Sequence, residues 1–192
     1  MRYLRFVVPL LLSALSIGLV LQNHIWNLTP VPRIAGEAIY QFQKSSEQAA
    51  FASALIAAQA QEELPVPVFG VVASQVADTY GEPRGTDRTH EGVDIFAPRG
   101  TYIRSATEGI VIRIGENRLG GTIVFVLGPS GERYYYAHLD SIDPALHMGQ
   151  QVSTTTILGR VGTTGNATGT PPHLHFGIYG NGGTKDPFPR LR

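Results

Sequence analysis

No charged residue interrupts the chain from Phe6 through Leu21, and Arg2 and Arg5 come immediately before that run. A basic end followed by an apolar stretch is the pattern of an export signal, and a helix that spans a bilayer core needs roughly 20 such residues. Gln22, Asn23 and Trp26 can complete the span at the interface. No small-x-small cleavage site follows the run directly, so residues 1–23 are read as an uncleaved signal anchor, with cleavage near Ala35 as the alternative. Arginines ahead of the span keep the N-terminus in the cytoplasm and send the remainder across the membrane. From Asn27 to Arg33 the chain is Pro-rich and reads as extended. Between Gly36 and Glu63 the apolar positions Ala38, Ile39, Phe42, Ala49, Phe51, Leu55 and Ile56 recur at partly helical spacing. This predicts a helix within a 24–63 linker, either a stalk or a helix that docks on and restrains the following domain. Leu64-Pro65-Val66-Pro67 ends it, because each proline disfavours helical geometry in the residue before it, and 64–192 is the expected domain.

Past that boundary the period falls from helical to two. Ile110 to Ile114, Thr122 to Leu127 and Arg133 to Ala137 are β-branched or aromatic runs, and Gly128-Pro129-Ser130-Gly131 between the last two is a turn, so they form a β-hairpin. Val152, Ile157 to Val161 and Leu174 to Tyr179 supply further short strands. The expected fold class is mainly β, an antiparallel sheet carrying a groove, preceded by the membrane helix and the helical stalk.

Composition narrows the chemistry. A formal charge of +0 and a sequence pI near 7.0 leave no electrostatic footprint for nucleic acid. With no cysteine in the chain, disulfides, thiolate metal sites and a cysteine nucleophile are excluded, so any metal must be held by His, Asp or Glu.

The strand around His173 shows where such a site would lie. In Pro172-His173-Leu174-His175-Phe176-Gly177-Ile178 the residues two apart share a face, so His173 and His175 stand side by side while Leu174 and Phe176 face a core. Imidazole is both the commonest biological metal ligand and a proton shuttle near neutral pH. Two other segments offer compatible groups. In His90-Glu91-Gly92-Val93-Asp94 a histidine and a carboxylate are four apart, with a glycine at which the chain can bend. His138 ends the second strand of the hairpin, after Tyr136-Ala137. His147 lies in turn-like sequence and is assigned to the surface. Glu91, adjacent to His90, is expected to point away from the site. The glycine-rich segments 115–121 and 162–166 lack the lysine and following helix of a phosphate-binding loop and read instead as groove walls for an extended peptide, with Arg84, Asn117, Arg118 and Tyr136 as rim contacts.

His90-x-x-x-Asp94, Tyr136-Ala137-His138-Leu139 and His173-x-His175, in that order, resemble the lysostaphin-type (LytM-like) zinc endopeptidases of bacterial cell walls, whose domain is often called the duplicated hybrid motif. The likeness runs from about Phe69 to Leu191 and takes in Tyr80-Gly81-Glu82-Pro83-Arg84 and Gly159-Arg160-Val161-Gly162. It implies Zn²⁺ held by His90, Asp94 and His175, with His138 and His173 as catalytic histidines, either of which could be the general base. It further implies hydrolysis of peptide bonds in peptidoglycan stem peptides or cross-links, on the periplasmic or extracellular side of the membrane. The alternative is a wall-binding module that activates other hydrolases, since some relatives of the fold have lost catalytic residues; the complete set of five here favours the enzyme. No regulatory protein partner is identified by the sequence.

Overall fold

The structure is a computed structural model that describes residues 33–192, with side chains from Tyr40 onward. The apolar run Phe6–Leu21 lies outside the described residues, and among those described no helix is long and apolar enough to cross a membrane. The chain divides into two units after Ser46. Helix α1, Arg33–Ala57, crosses that division. Up to Ser46 it is held along its axis by backbone bonds and by serine hydroxyls returned to the preceding turn, Ser45 to Gln41 and Ser46 to Gln43. The expected helix end at Glu63 is reached earlier. After Ala58, tertiary contacts compete with the helical ladder: Gln61 offers its side chain to the Thr107 hydroxyl at 2.7 Å and its carbonyl to Arg190.

Nine strands follow: β1 Val93–Phe96, β2 Tyr102–Arg104, β3 Gly109–Asn117, β4 Gly121–Leu127, β5 Arg133–Ile142, β6 Gln151–Val152, β7 Ile157–Val161, β8 His173–Gly180 and β9 Gly183–Lys185. The main path across the sheet is β1-β8-β5-β4-β3-β6, with β7 joining β5 to β2 and β9 flanking β8, and every pairing of named strands is antiparallel. The expected hairpin is β4–β5, and its connection bends through Ser130 at φ 60 and Gly131 at φ 69.

Alternation along each strand separates a core face from a groove face. Tyr134, Tyr136, Leu174, Phe176 and Ile178 are fully buried on one side, against Val124, Val126, Val93 and Ile95. Leu64, Val66 and Val68 close the same core; Leu64 is tied to the C-terminus by Leu64 N–H to the Arg190 carbonyl (2.7 Å) and Arg192 N–H to the Leu64 carbonyl (2.9 Å). The opposite side of β5 and β8 carries Arg133, Tyr135 and Ala137 beside His173, His175 and Tyr179. That side is the floor of the groove.

Two register shifts change which residues reach the groove. The β3–β4 ladder pairs Val111 with Val126 and then Arg113 with Phe125, so Ile112 is a bulge. The β4–β5 ladder pairs Thr122 with Leu139 and then Val124 with Tyr136, leaving His138 in the bulge at φ 64. Strict alternation would put His138 on the core side with Tyr134 and Tyr136. The bulge turns it back over the groove.

Candidate active site

Pairing of β1 with β8 sets Asp94 opposite His175. His90 comes from the loop before β1, which is pinned as a small antiparallel ladder: His90 N–H donates to the Glu82 carbonyl at 2.8 Å, Gly81 N–H to the His90 carbonyl at 2.9 Å, and Pro83 bridges Thr89. His90 Nε2, Asp94 Oδ1 and His175 Nδ1 consequently form a triangle with sides of 2.9, 3.0 and 3.3 Å. Tetrahedral ligands held at about 2.0–2.1 Å from a zinc ion would stand about 3.3 Å apart, so the donor set and its spacing fit a small divalent metal. All three residues line the groove.

Neighbouring groups orient these donors. His90 Nδ1 lies 2.7 Å from the Thr79 carbonyl, which can only accept, and 2.9 Å from an Arg84 nitrogen, which can only donate; the tautomer with its proton on Nδ1, donated to Thr79, is the one that would leave Nε2 free to ligate a metal. Thr79 also accepts the Asp94 backbone N–H through its hydroxyl, at 3.1 Å. Arg84 donates to Asp94 Oδ2 at 2.6 Å, which fixes the carboxylate with Oδ1 turned to the histidines. Burial alone would raise the Asp94 carboxyl, but hydrogen bonds from His175 and His90 outweigh it and hold the group ionised, well below the usual carboxylate range. Burial likewise lowers His175, opposed by Asp94, and favours the neutral imidazole that a metal requires.

His138 and His173 flank this triangle, their rings 5.0 Å apart between centroids. Each has Nδ1 against a backbone carbonyl, Thr164 for His138 at 2.9 Å and Pro171 for His173 at 2.8 Å, so each ring donates from Nδ1 and leaves Nε2 as the nitrogen for proton exchange. Burial, reinforced by the neighbouring His175 and His173, pulls His138 from its ordinary 6.5 down to about 4. Both rings are therefore positioned acceptors, ready to take a proton and pass it on.

The five candidates thus converge in a groove of about 780 Å³. Of the proposed rim residues, Arg84 and Asn117 line it. Arg118 does not, because it projects from the β3–β4 turn. Tyr136 is a core residue, fully buried with its hydroxyl accepting the Ala106 N–H at 2.8 Å, since alternation from Ala137 sends it to the far face. The aromatic residues that do line the groove are Phe125, Tyr135 and Tyr179. Counting back two from Ala137 to Tyr135, and forward four from His175 to Tyr179, was the signal that could have found the tyrosines. Glu91 borders the groove, its carboxylate 3.4 Å from the Tyr179 hydroxyl, and His147 is exposed at the surface.

Gly92 has a role other than the bend expected of it. A Cβ there would lie 2.4 Å from the Phe176 carbonyl and 2.9 Å from the His175 ring. Gly92→Ala should therefore displace His175 and weaken metal binding roughly 10- to 100-fold. Titration of the metal-free chain with zinc checks this, and an unchanged affinity would refute it.

Comparison with known proteins gives a consistent match. The family model described as peptidase family M23 matches residues 88–187. An L-Ala–D-Glu endopeptidase of Bacillus subtilis (strain 168) is 39% identical over 125 residues, which are 59% of this chain and 38% of that protein. The peptidoglycan DD-endopeptidase ShyC of Vibrio cholerae is 33% identical over 103 residues, 54% of this chain and 23% of that one. This chain thus spans well under half the length of these curated relatives. Among solved structures, the catalytic domain of lysostaphin from Staphylococcus simulans superposes with TM-score 0.53 at 30% identity, covering 59% of this chain and 89% of that domain.

Proposed function

The chain belongs to peptidase family M23, and we propose that it is a zinc-dependent endopeptidase hydrolysing peptide bonds in the stem peptides or cross-links of peptidoglycan. The observation that carries this reading is the convergence of the His90–Asp94–His175 triangle with two carbonyl-oriented histidines in an open groove. The names of the B. subtilis and V. cholerae relatives support the substrate class. The charge-free run behind Arg2 and Arg5 supports a location on the periplasmic or extracellular face of the cytoplasmic membrane, anchored by residues 1–23 or released if that segment is cleaved.

In this assignment His90, Asp94 and His175 hold the ion. Zinc, when bound, supplies Lewis-acid polarisation of the scissile carbonyl and makes water a competent nucleophile at neutral pH. The chain's own residues carry the protons. Nε2 of His138 or His173 accepts the proton of the attacking water, and the resulting imidazolium stabilises the oxyanion and returns the proton to the leaving amine. Their Nδ1–H groups keep donating to the Thr164 and Pro171 carbonyls throughout, so neither ring loses its orientation as Nε2 gains and gives up a proton. Arg84 holds Asp94 in place.

The deciding experiment is digestion of purified peptidoglycan by the purified chain, with zinc content measured on the same sample and His138→Ala as control. Near-stoichiometric zinc and new cleavage products are expected. The His138→Ala chain should retain its zinc while losing about 10²- to 10³-fold in rate, the usual contribution of a positioned acid–base group. Stoichiometric zinc without any product would favour a wall-binding activator instead.

A further inference from the structure

Beyond the five site residues, the groove floor is organised by rows of the sheet. The row through Ala137 and His175 leads to Asp94. The next runs Arg113, Phe125, Tyr135 across β3, β4 and β5, and the one after it pairs Arg133 with Tyr179. Phe125 and Tyr135 stack at 4.5 Å, and Tyr179 meets Tyr135 edge-on at 6.0 Å, which makes a rigid aromatic platform adjoining the His175 ring. Arg113 and Arg133 border it, both line the groove, and neither guanidinium makes an ion pair or hydrogen bond among the described residues. Of the other two groove arginines, Arg84 is committed to Asp94, and Arg88 lies on the exposed segment before His90, away from the aromatic platform rows. Arg113 reaches this face only because Ile112 is bulged; regular pairing would have turned it to the core side with Val111. The carboxylates that line the groove, Asp87, Glu91 and Asp94, all belong to the short segment at the β1 side, and Glu91 engages the Tyr179 hydroxyl. Cationic groups without anions, on a fixed platform inside a substrate groove, are complementary to an anion that arrives with the substrate.

We propose that Arg113 and Arg133 form a carboxylate subsite over the Phe125–Tyr135–Tyr179 platform, so that the chain selects acidic peptides with a free carboxylate about two to four residues from the cleaved bond. The span follows from the sheet: the two arginine rows lie two and four residues along β5 from Ala137, roughly 7 and 13 Å, which an extended peptide covers at about 3.3 Å per residue. This deepens the endopeptidase reading and rests on it.

The test uses stem-peptide fragments that the purified chain cleaves, each compared with versions in which one free carboxylate at a time is converted to the carboxamide. One such conversion should lower kcat/KM roughly 10- to 100-fold, as expected for loss of charge-assisted hydrogen bonds. Arg113→Gln combined with Arg133→Gln should lower kcat/KM on the acid peptide toward the value for that amide and abolish the discrimination, with zinc content unchanged. Equal cleavage of acid and every amide by the unaltered chain would overturn the subsite alone, as would discrimination that survives in the double variant. Failure to cleave any fragment would overturn the endopeptidase reading and the subsite with it.

Discussion

Asp94→Ala is expected to release the metal and reduce peptidoglycan cleavage by more than roughly 10⁴-fold, to the limit of detection in a digest, because the several kcal/mol of Lewis-acid catalysis go with the ion. Two effects add. The substitution removes one of three donors and the only anion among them. It also leaves the Arg84 guanidinium, now 2.6 Å from the Asp94 carboxylate, facing two imidazoles with no negative charge between them. The pocket would then repel a divalent cation instead of attracting it. Because Asp94 is buried among its partners, a folding defect must be separated from a metal defect, and Asp94→Asn serves this purpose: it keeps the shape and a carbonyl oxygen while deleting the charge. Zinc content and thermal melting of both variants, measured with activity, decide the matter. A folded Asp94→Ala chain with stoichiometric zinc and undiminished cleavage would sink the ligand assignment.

How far the site could be read without coordinates differs residue by residue. His173 and His175 were legible because Leu174 and Phe176 between and after them are fully buried, and alternation on a half-buried strand is a local property of sequence. His90 and Asp94 were legible as a spaced pair, but not the reason they meet: Asp94 is placed by the β1–β8 register and His90 by the ladder through Glu82. His138 was found from the end of its hairpin strand and the Tyr136-Ala137-His138 pattern, against its own alternation, since the bulge that re-aims it depends on a register shift between strands. The same kind of shift hid Arg113. Thr79 and Arg84 carried no local mark of their roles, as each acts across ten or more residues on a partner that only the folded chain brings near. Of the fold, the hairpin and the long runs were readable, while β2 and β9, three residues each, are strands only because a neighbour pairs with them.

The second large effect concerns stability and a buried charge that no strand pattern revealed. Glu132 is fully buried at the end of the β4–β5 turn. It accepts from Arg190 at 2.9 and 3.1 Å, from Lys185 at 2.8 Å and from the Tyr134 hydroxyl at 2.8 Å. Arg190 in turn donates to the Gln61 carbonyl, so this cluster ties the C-terminus and the segment after α1 to the sheet. Arg190→Leu removes the better-buried cation and leaves the buried carboxylate only the more exposed Lys185 and the Tyr134 hydroxyl, which should cost about 3 kcal/mol and lower Tm by about 6–12 °C. Replacing both residues, Glu132→Leu with Arg190→Leu, should recover most of that loss, because the larger part of the penalty is a poorly compensated buried charge and not the absence of attraction. The pH dependence has a definite sign. Burial raises the Glu132 carboxyl, but hydrogen bonds from Arg190, Lys185 and Tyr134 bring it below its ordinary 4.5. A folded value below the unfolded one means that the stabilisation is complete above about pH 4.5 and is lost as pH falls through the folded value. Chemical denaturation from pH 7 down to 3 should therefore show a steeper acid decline for the unaltered chain than for the double variant. A single variant as stable as the parent would mean that the Arg190–Glu132 pair does not hold this corner of the fold, and a double variant worse than the single would mean that the ion pair itself, and not the avoidance of a poorly compensated charge, does.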